Sequence, residues 1–209
     1  MPLIRGASPA SGDRLTVGDP PAPASLAGAT SEERWAAARA AAGSAGNVPI
    51  LQAALMSETD PRVREAIFTS LALINTDESA QAVLPHLRSD DAQMRTAALD
   101  ALRTMPDRVA GHLPALLEDP DADVRLLACD LCRALPPAPL HTLLTALLLR
   151  EQEANVCAAA VEVLADCGSP DVLPALHQCA ERFTGDPFLS FSIEVAARRI
   201  ASQSSDPHG

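Results

Sequence analysis

The feature that most constrains this chain is that it repeats itself about every thirty residues. Asp60-Pro-Arg-Val-Arg64 recurs as Asp91-Ala-Gln-Met-Arg95 and as Asp121-Ala-Asp-Val-Arg125. Weaker copies are Glu153-Ala-Asn-Val-Cys157 and Asp186-Pro-Phe-Leu-Ser190. The apolar anchors Val63, Met94, Val124, Val156 and Leu189 lie 31, 30, 32 and 33 residues apart. An earlier fragment, Glu33-Arg34-Trp35-Ala36-Ala37, stands 30 residues before the copy at Arg64. No unit this short buries its own apolar face, so neighbours must stack into one continuous core.

Each anchor is followed by a helical pattern. In Arg95-Thr-Ala-Ala-Leu-Asp-Ala-Leu102 the residues Ala97, Ala98, Ala101 and Leu102 share one face at 3.6-residue spacing. A shorter apolar segment precedes each anchor: Val83-Leu-Pro-His-Leu87, His112-Leu-Pro-Ala-Leu116 and Val172-Leu-Pro-Ala-Leu176. Start signals fall where helix pairs need them. Thr30 and Glu33 have capping-box spacing, Asn47 precedes Val48-Pro49, Pro106 opens another helix, and Ser169 precedes Pro170. Pro85 and Pro114 inside the first helices should bend or delay them. The pattern predicts an all-α chain, an α-solenoid of about five helix pairs at roughly 47–75, 77–105, 107–135, 137–167 and 169–202. A capping helix at 31–43 precedes them.

Composition agrees. Hydrophobic residues make up 47% of the 209, but aromatics only 2%, so the core must be built from Ala, Leu and Val, which suits helices better than sheets. Residues 1–29 hold Pro2, Pro9, Pro20, Pro21 and Pro23 with no helical period, and are expected to form a flexible tail or an extended strap. The repeat domain then covers 30–202, and 203–209 is expected to be a disordered C-terminal end. All 16 basic residues are arginine, so Schiff-base chemistry and a phosphate-loop lysine are excluded. A net charge of −11 argues against nucleic acid. The first residues lack a secretory apolar run, and the longest apolar run, near Leu140–Leu149, is too short for a bilayer. With five cysteines, an odd number, the expectation is a bacterial protein in the reducing cytoplasm, with no membrane association.

The Asp-x-x-Val-Arg-x-x-Ala-Ala-x-x-Leu signature over residues 31–202 resembles HEAT-like repeats, most of all the short kind of the phycobilisome-lyase type. The resemblance implies an α-solenoid superhelix and leaves function open, because such folds host scaffolds, chaperones, lyases and a few enzymes. It implies a structural ladder at the turns, with Asp60, Asp91 and Asp121 as caps. Arg34, Arg64, Arg95 and Arg125 would bond carboxylates or carbonyls of adjacent repeats. Cys157 and Ser190 stand where the arginine is missing.

In such stacks the second helices line the concave face. Five residues after the arginine slot come Thr69, Asp100, Asp130 and Glu162; eight after it come Ala72, Arg103, Arg133, Ala165 and Arg198. An acidic row therefore runs beside a shorter arginine row, either as surface pairs or as a mixed-charge groove. One residue after the slot come Trp35, Leu126 and Phe191, candidate anchors for a partner. Trp35 serves equally well to close the N-terminal end of the core.

Chemistry-bearing sets are sparse. Cys129, Cys132 and Cys167 align with core positions such as Phe68, Leu71 and Ile74, and one Cys pair lacks the four ligands of a zinc site. Cys157, near a helix start, is either a reactive thiol or a drifted position. His86 and His177 read as solvated surface. No catalytic set, metal site or cofactor site is expected. The function expected is a non-enzymatic scaffold or adaptor that binds a protein partner of basic or mixed charge in the groove. The alternative is a lyase or assembly-chaperone subunit resembling phycobilin lyases. The sequence leaves oligomeric state open.

Overall fold

A computed structural model describes residues 26–204, with side chains to 202. Residues 1–25 and 205–209, which hold most of the expected tail and end, lie outside the described residues. Leu26 packs against the core, and the last helix runs to Ser204.

The described residues form helices and turns with no strand. A single helix, α1 (Ser31–Ala40), opens the series. Five pairs follow: α2 (Val48–Leu55) with α3 (Pro61–Ile74), and α4 (Asp77–Val83) with α5 (Ala92–Arg103). In the third pair the first arm is split into α6 (Pro106–Val109) and α7 (Leu113–Leu116) and leads to α8 (Ala122–Leu131). The last two are α9 (Pro137–Arg150) with α10 (Ala154–Cys167), and α11 (Leu173–Arg182) with α12 (Pro187–Ser204). The second helices pack side by side in the order α3, α5, α8, α10, α12, and α1 packs on α3 in the place of a second helix. The described residues form an all-α solenoid of five HEAT-like pairs behind one capping helix.

Local chemistry explains the ends. Asp60, Asp91 and Asp121 each accept the amide two residues on, at 2.9 Å, and Asp186 accepts Leu189 N at 2.9 Å. Thr30 and Glu33 form the capping box, with bonds of 3.2 and 3.1 Å. Two predicted caps act otherwise. Asn47 donates its Nδ2 back to Ala41 O at 2.8 Å, and Ser169 Oγ turns to His141 Nδ1 at 3.4 Å. A cap that sequence reading overlooked joins Thr76 and Ser79 at the start of α4. Asn75 closes α3 with φ 51°, a left-handed position that asparagine tolerates.

The first helices are interrupted where proline removes an amide. Residues Leu84–Arg88 around Pro85 and Pro170–Val172 tighten into 3-10 turns, and Ala110–His112 does the same just before Leu113-Pro114. Only α9, whose prolines sit in its first turn, runs 14 residues unbroken. One core runs through every pair, made of Leu51, Leu71, Leu102, Leu117, Leu144 and Leu176 between layers of buried alanine. Leucine-to-alanine changes at such sites cost ~2–5 kcal/mol, so this core carries most of the stability.

Candidate functional site

The site is a face of the stack and is built from the turns upward. Each slot arginine folds back on its own turn and donates to the carbonyl six residues before it. The bonds are Arg34 to Gly28 O (3.3 Å), Arg64 to Glu58 O (2.7 Å), Arg95 to Ser89 O (2.6 Å) and Arg125 to Asp119 O (2.8 Å). Three of the four also reach into the next repeat. Arg34 grips Glu58 through two bonds of 2.7 and 3.1 Å, Arg64 meets Asp91 at 2.9 Å, and Arg125 grips Glu151 at 2.7 and 2.8 Å. Asp119 takes its ion pair from Arg88 instead. Where Cys157 replaces the arginine, Arg182 from α11 donates to Glu151 O at 3.3 Å and also bonds Leu148 O.

Sequence reading missed the acceptors of this ladder. Glu58, Asp119 and Glu151 are buried carboxylates two residues before each cap, with Ser89 in the equivalent place. Each side chain accepts the cap amide: Asp60 N at 2.9 Å, Asp91 N at 3.2 Å, Asp121 N at 3.0 Å and Glu153 N at 3.0 Å. Their spacing of 31, 30 and 32 residues repeats that of the anchors, so the signal was present in the sequence. The Arg34 guanidinium, aided by the Asp60 and Thr59 amides, holds the Glu58 carboxyl at about 2 despite burial. Burial pushes the Glu151 carboxyl up, but Arg125 and the Gln152 and Glu153 amides outweigh it and hold it below its ordinary value.

The outward rows of the second helices are joined into one chain of ion pairs. Arg103 meets Asp100 and Asp130, both at 2.7 Å. Arg133 meets Asp130 at 3.5 Å, Glu162 at 2.9 Å and Asp166 at 2.6 Å, and Arg199 closes the chain on Asp166 at 3.0 Å. Arg198, placed in the row by spacing, stands apart and pairs with Glu194 of its own helix at 3.4 Å. The candidate acids and arginines thus lie together and largely satisfy one another. Exposed pairs of this kind contribute ~0–1 kcal/mol each.

Between the second helices run open grooves. One of about 590 Å³ lies between α3 and α5, lined by Glu65, Phe68, Thr69, Gln93, Thr96 and Asp100 among others. Another of about 500 Å³ lies between α10 and α12 and includes Leu126, Ala158, Glu162, Phe188, Phe191 and Val195. Phe191 is 62% exposed there, and Phe188, which sequence reading did not single out, is 72% exposed. Leu126 is half-buried against the core and lines the same groove. Trp35 is also half-buried on the core, with the Arg39 guanidinium 4.9 Å above its ring. It borders a smaller groove between α1 and α3. Leu126 and Phe191 therefore share one groove, and Trp35 borders another on the same face.

Most of the thiols point inward, whereas the histidines differ, His177 being exposed and His86 half-buried. Cys129, Cys132, Cys157 and Cys179 are fully buried, and no described group of His, Cys, Asp and Glu is arranged to hold a metal ion. The neighbouring Cys179 thiol and burial both push the Cys157 thiol up, against the pull of a helix start. Burial pushes Cys132 up to about 12. His86 is not solvated surface: its ring meets Phe68 edge-on at 5.5 Å, and burial lowers its basicity. Sequence spacing placed it on an outer helix but not against that neighbouring ring. Among the described residues no helix is long and apolar enough to cross a membrane.

Comparison with known proteins gives a consistent outline. A family model described as HEAT repeats matches residues 21–103, the part that holds α1 to α5, without singling out the phycobilisome-lyase type. No curated protein matches the chain. Among solved structures, the chain is similar to two crystal structures of engineered proteins. One is 21% identical over 85% of this chain and 94% of that one, with a TM-score of 0.42. The other is 18% identical over 85% and 96%, with a TM-score of 0.45. A designed armadillo repeat protein is 15% identical over 84% and 97%, with a TM-score of 0.40.

Proposed function

We propose that this solenoid is a protein-interaction scaffold that receives its partner on the face of the second helices. The observation that carries the reading is the division of labour on that face. Its charged rows are occupied with one another, while Phe188, Phe191 and Val195 stand exposed beside an open groove. Exposed aromatic clusters of this kind are the side chains that dominate binding energy at protein interfaces. The quasi-one-dimensional stack favours the same role, because it presents a long surface without needing a closed cavity. Peptide-display selection against the immobilised full chain tests it. Selected peptides should compete with one another and bind Phe191→Ser at least ~10-fold more weakly, a loss of ~1.4 kcal/mol. Recovery of no binding peptide, or of peptides competed only by substitutions on the first helices such as Ile50→Ser and Leu149→Ser, overturns it.

A further inference from the structure

We infer that the groove between α10 and α12 takes a bulky apolar side chain from a basic protein segment, whose neighbouring arginine or lysine meets Glu162. The inference rests on the scaffold reading and names its partner's chemistry. Phe188, Phe191 and Val195 are 72, 62 and 41% exposed, a stripe at i, i+3 and i+7 along α12. The stripe lines the groove shared with α10. The position four residues after the arginine slot, which turns toward the following repeat, is buried Phe68, Leu99, Cys129 and Val161 in earlier second helices. In α12 it is Glu194, whose side chain is 65% exposed. That outer position is therefore polar in α12, while the aromatic stripe faces the open groove.

Charge selects the occupant. Along the ion-pair chain the three guanidiniums of Arg103, Arg133 and Arg199 answer four carboxylates, Asp100, Asp130, Glu162 and Asp166. The surplus is negative, and Glu162 lines the groove itself. The outlying Arg198 is held by Glu194 at 3.4 Å. An apolar floor with an acidic rim accepts an apolar anchor beside a cation and repels a phosphate backbone.

The test uses the full chain, followed by NMR, with three probes: N-acetyl-Trp-Arg-amide, N-acetyl-Trp-Glu-amide and N-acetyl-Ala-Arg-amide. The Trp-Arg probe should shift the Leu126, Ala158 and Val195 methyls with a Kd of about 1–10 mM, as a fragment of a larger ligand does. Trp-Glu should bind about threefold more weakly, and Ala-Arg should leave those methyls unmoved. Glu162→Gln should reduce the Arg-over-Glu preference, and Phe191→Ser should abolish the shifts with the helical circular dichroism unchanged. Shifts from Trp-Arg elsewhere on the second-helix face would overturn this groove while leaving the scaffold reading intact. Equal binding of Trp-Arg and Trp-Glu would overturn the basic partner. A concentration-dependent dimer dispersed by Phe191→Ser would assign the groove to a second copy of the chain and overturn the inference.

Discussion

The groove between α3 and α5 and the groove between α10 and α12 are built at the same repeat positions and end in opposite chemistry. Two residues before the slot, Gln93 in one faces the space that Phe188 faces in the other. One residue after it, Thr96 answers to Phe191; five after it, Asp100 answers to Val195. On the facing helix Glu65 and Thr69 answer to Ala158 and Glu162. The scaffold beneath is shared: a carboxylate in the turn, Glu58 or Glu151, gripped by the arginine of the preceding repeat. The comparison teaches that in this chain the turns set the spacing of the face and the outward side chains set its local chemistry.

That separation can be broken from below. Glu151→Ala removes the partner of a half-buried guanidinium and the acceptor of two turn amides, and should destabilise the chain by about 3–5 kcal/mol in urea unfolding. Because neighbouring repeats stabilise only each other, hydrogen exchange should rise first in α9 to α12, whereas Glu58→Ala should act first on α1 to α3. Uniform exchange in both variants would contradict it.

Acid separates the regions more gently. The Glu58 carboxyl lies at about 2 in the folded chain against an ordinary 4.5. A depressed carboxyl contributes stability above its unfolded value, and that contribution fades as pH falls from about 4.5 toward 2. The loss should be about 2 kcal/mol, read as a falling urea midpoint, and Glu58→Gln should flatten this part of the profile. An unchanged slope in Glu58→Gln would remove the assignment.

The smallest effect tests the upper layer. Transplanting the apolar set into the first groove, as Gln93→Phe, Thr96→Phe and Asp100→Val together, should leave stability within about 1 kcal/mol. It should add a second site for the Trp-Arg probe. The lost pair between Asp100 and Arg103 is exposed and contributes little. Loss of folding would show that outward side chains and scaffold are coupled.

The helix pairs, their order and the caps at Asp60, Asp91 and Asp121 were legible because repetition multiplies a weak signal. For the slot arginines the positions and the kind of partner, a carboxylate in the adjacent repeat, were legible, but the bond back to their own turn was not. Their shared acceptor, the carbonyl six residues back, is a backbone atom and leaves no residue type to read. The broken first helices around Pro85 and Pro114 were only half legible, since proline marks a disturbance without fixing its form. Glu58, Asp119 and Glu151 escaped because surface carboxylates are the commonest reading of an isolated acid, and their burial depends on the arginine brought over from the preceding repeat. At the candidate site the rows of acid and arginine were legible, and so was pairing within a helix at i,i+3 spacing, but not the pairing between repeats, as of Arg103 with Asp130 and Arg133 with Glu162. Phe188 escaped because it lies before the slot, on a turn of α12 whose outward face only the packing reveals.

The most direct measurement is methyl NMR of the full chain titrated with a display-selected peptide. The largest shifts should fall on Leu126, Ala158 and Val195, on the face of the second helices. Largest shifts at Ile50 and Leu149, on the first helices, would contradict the account.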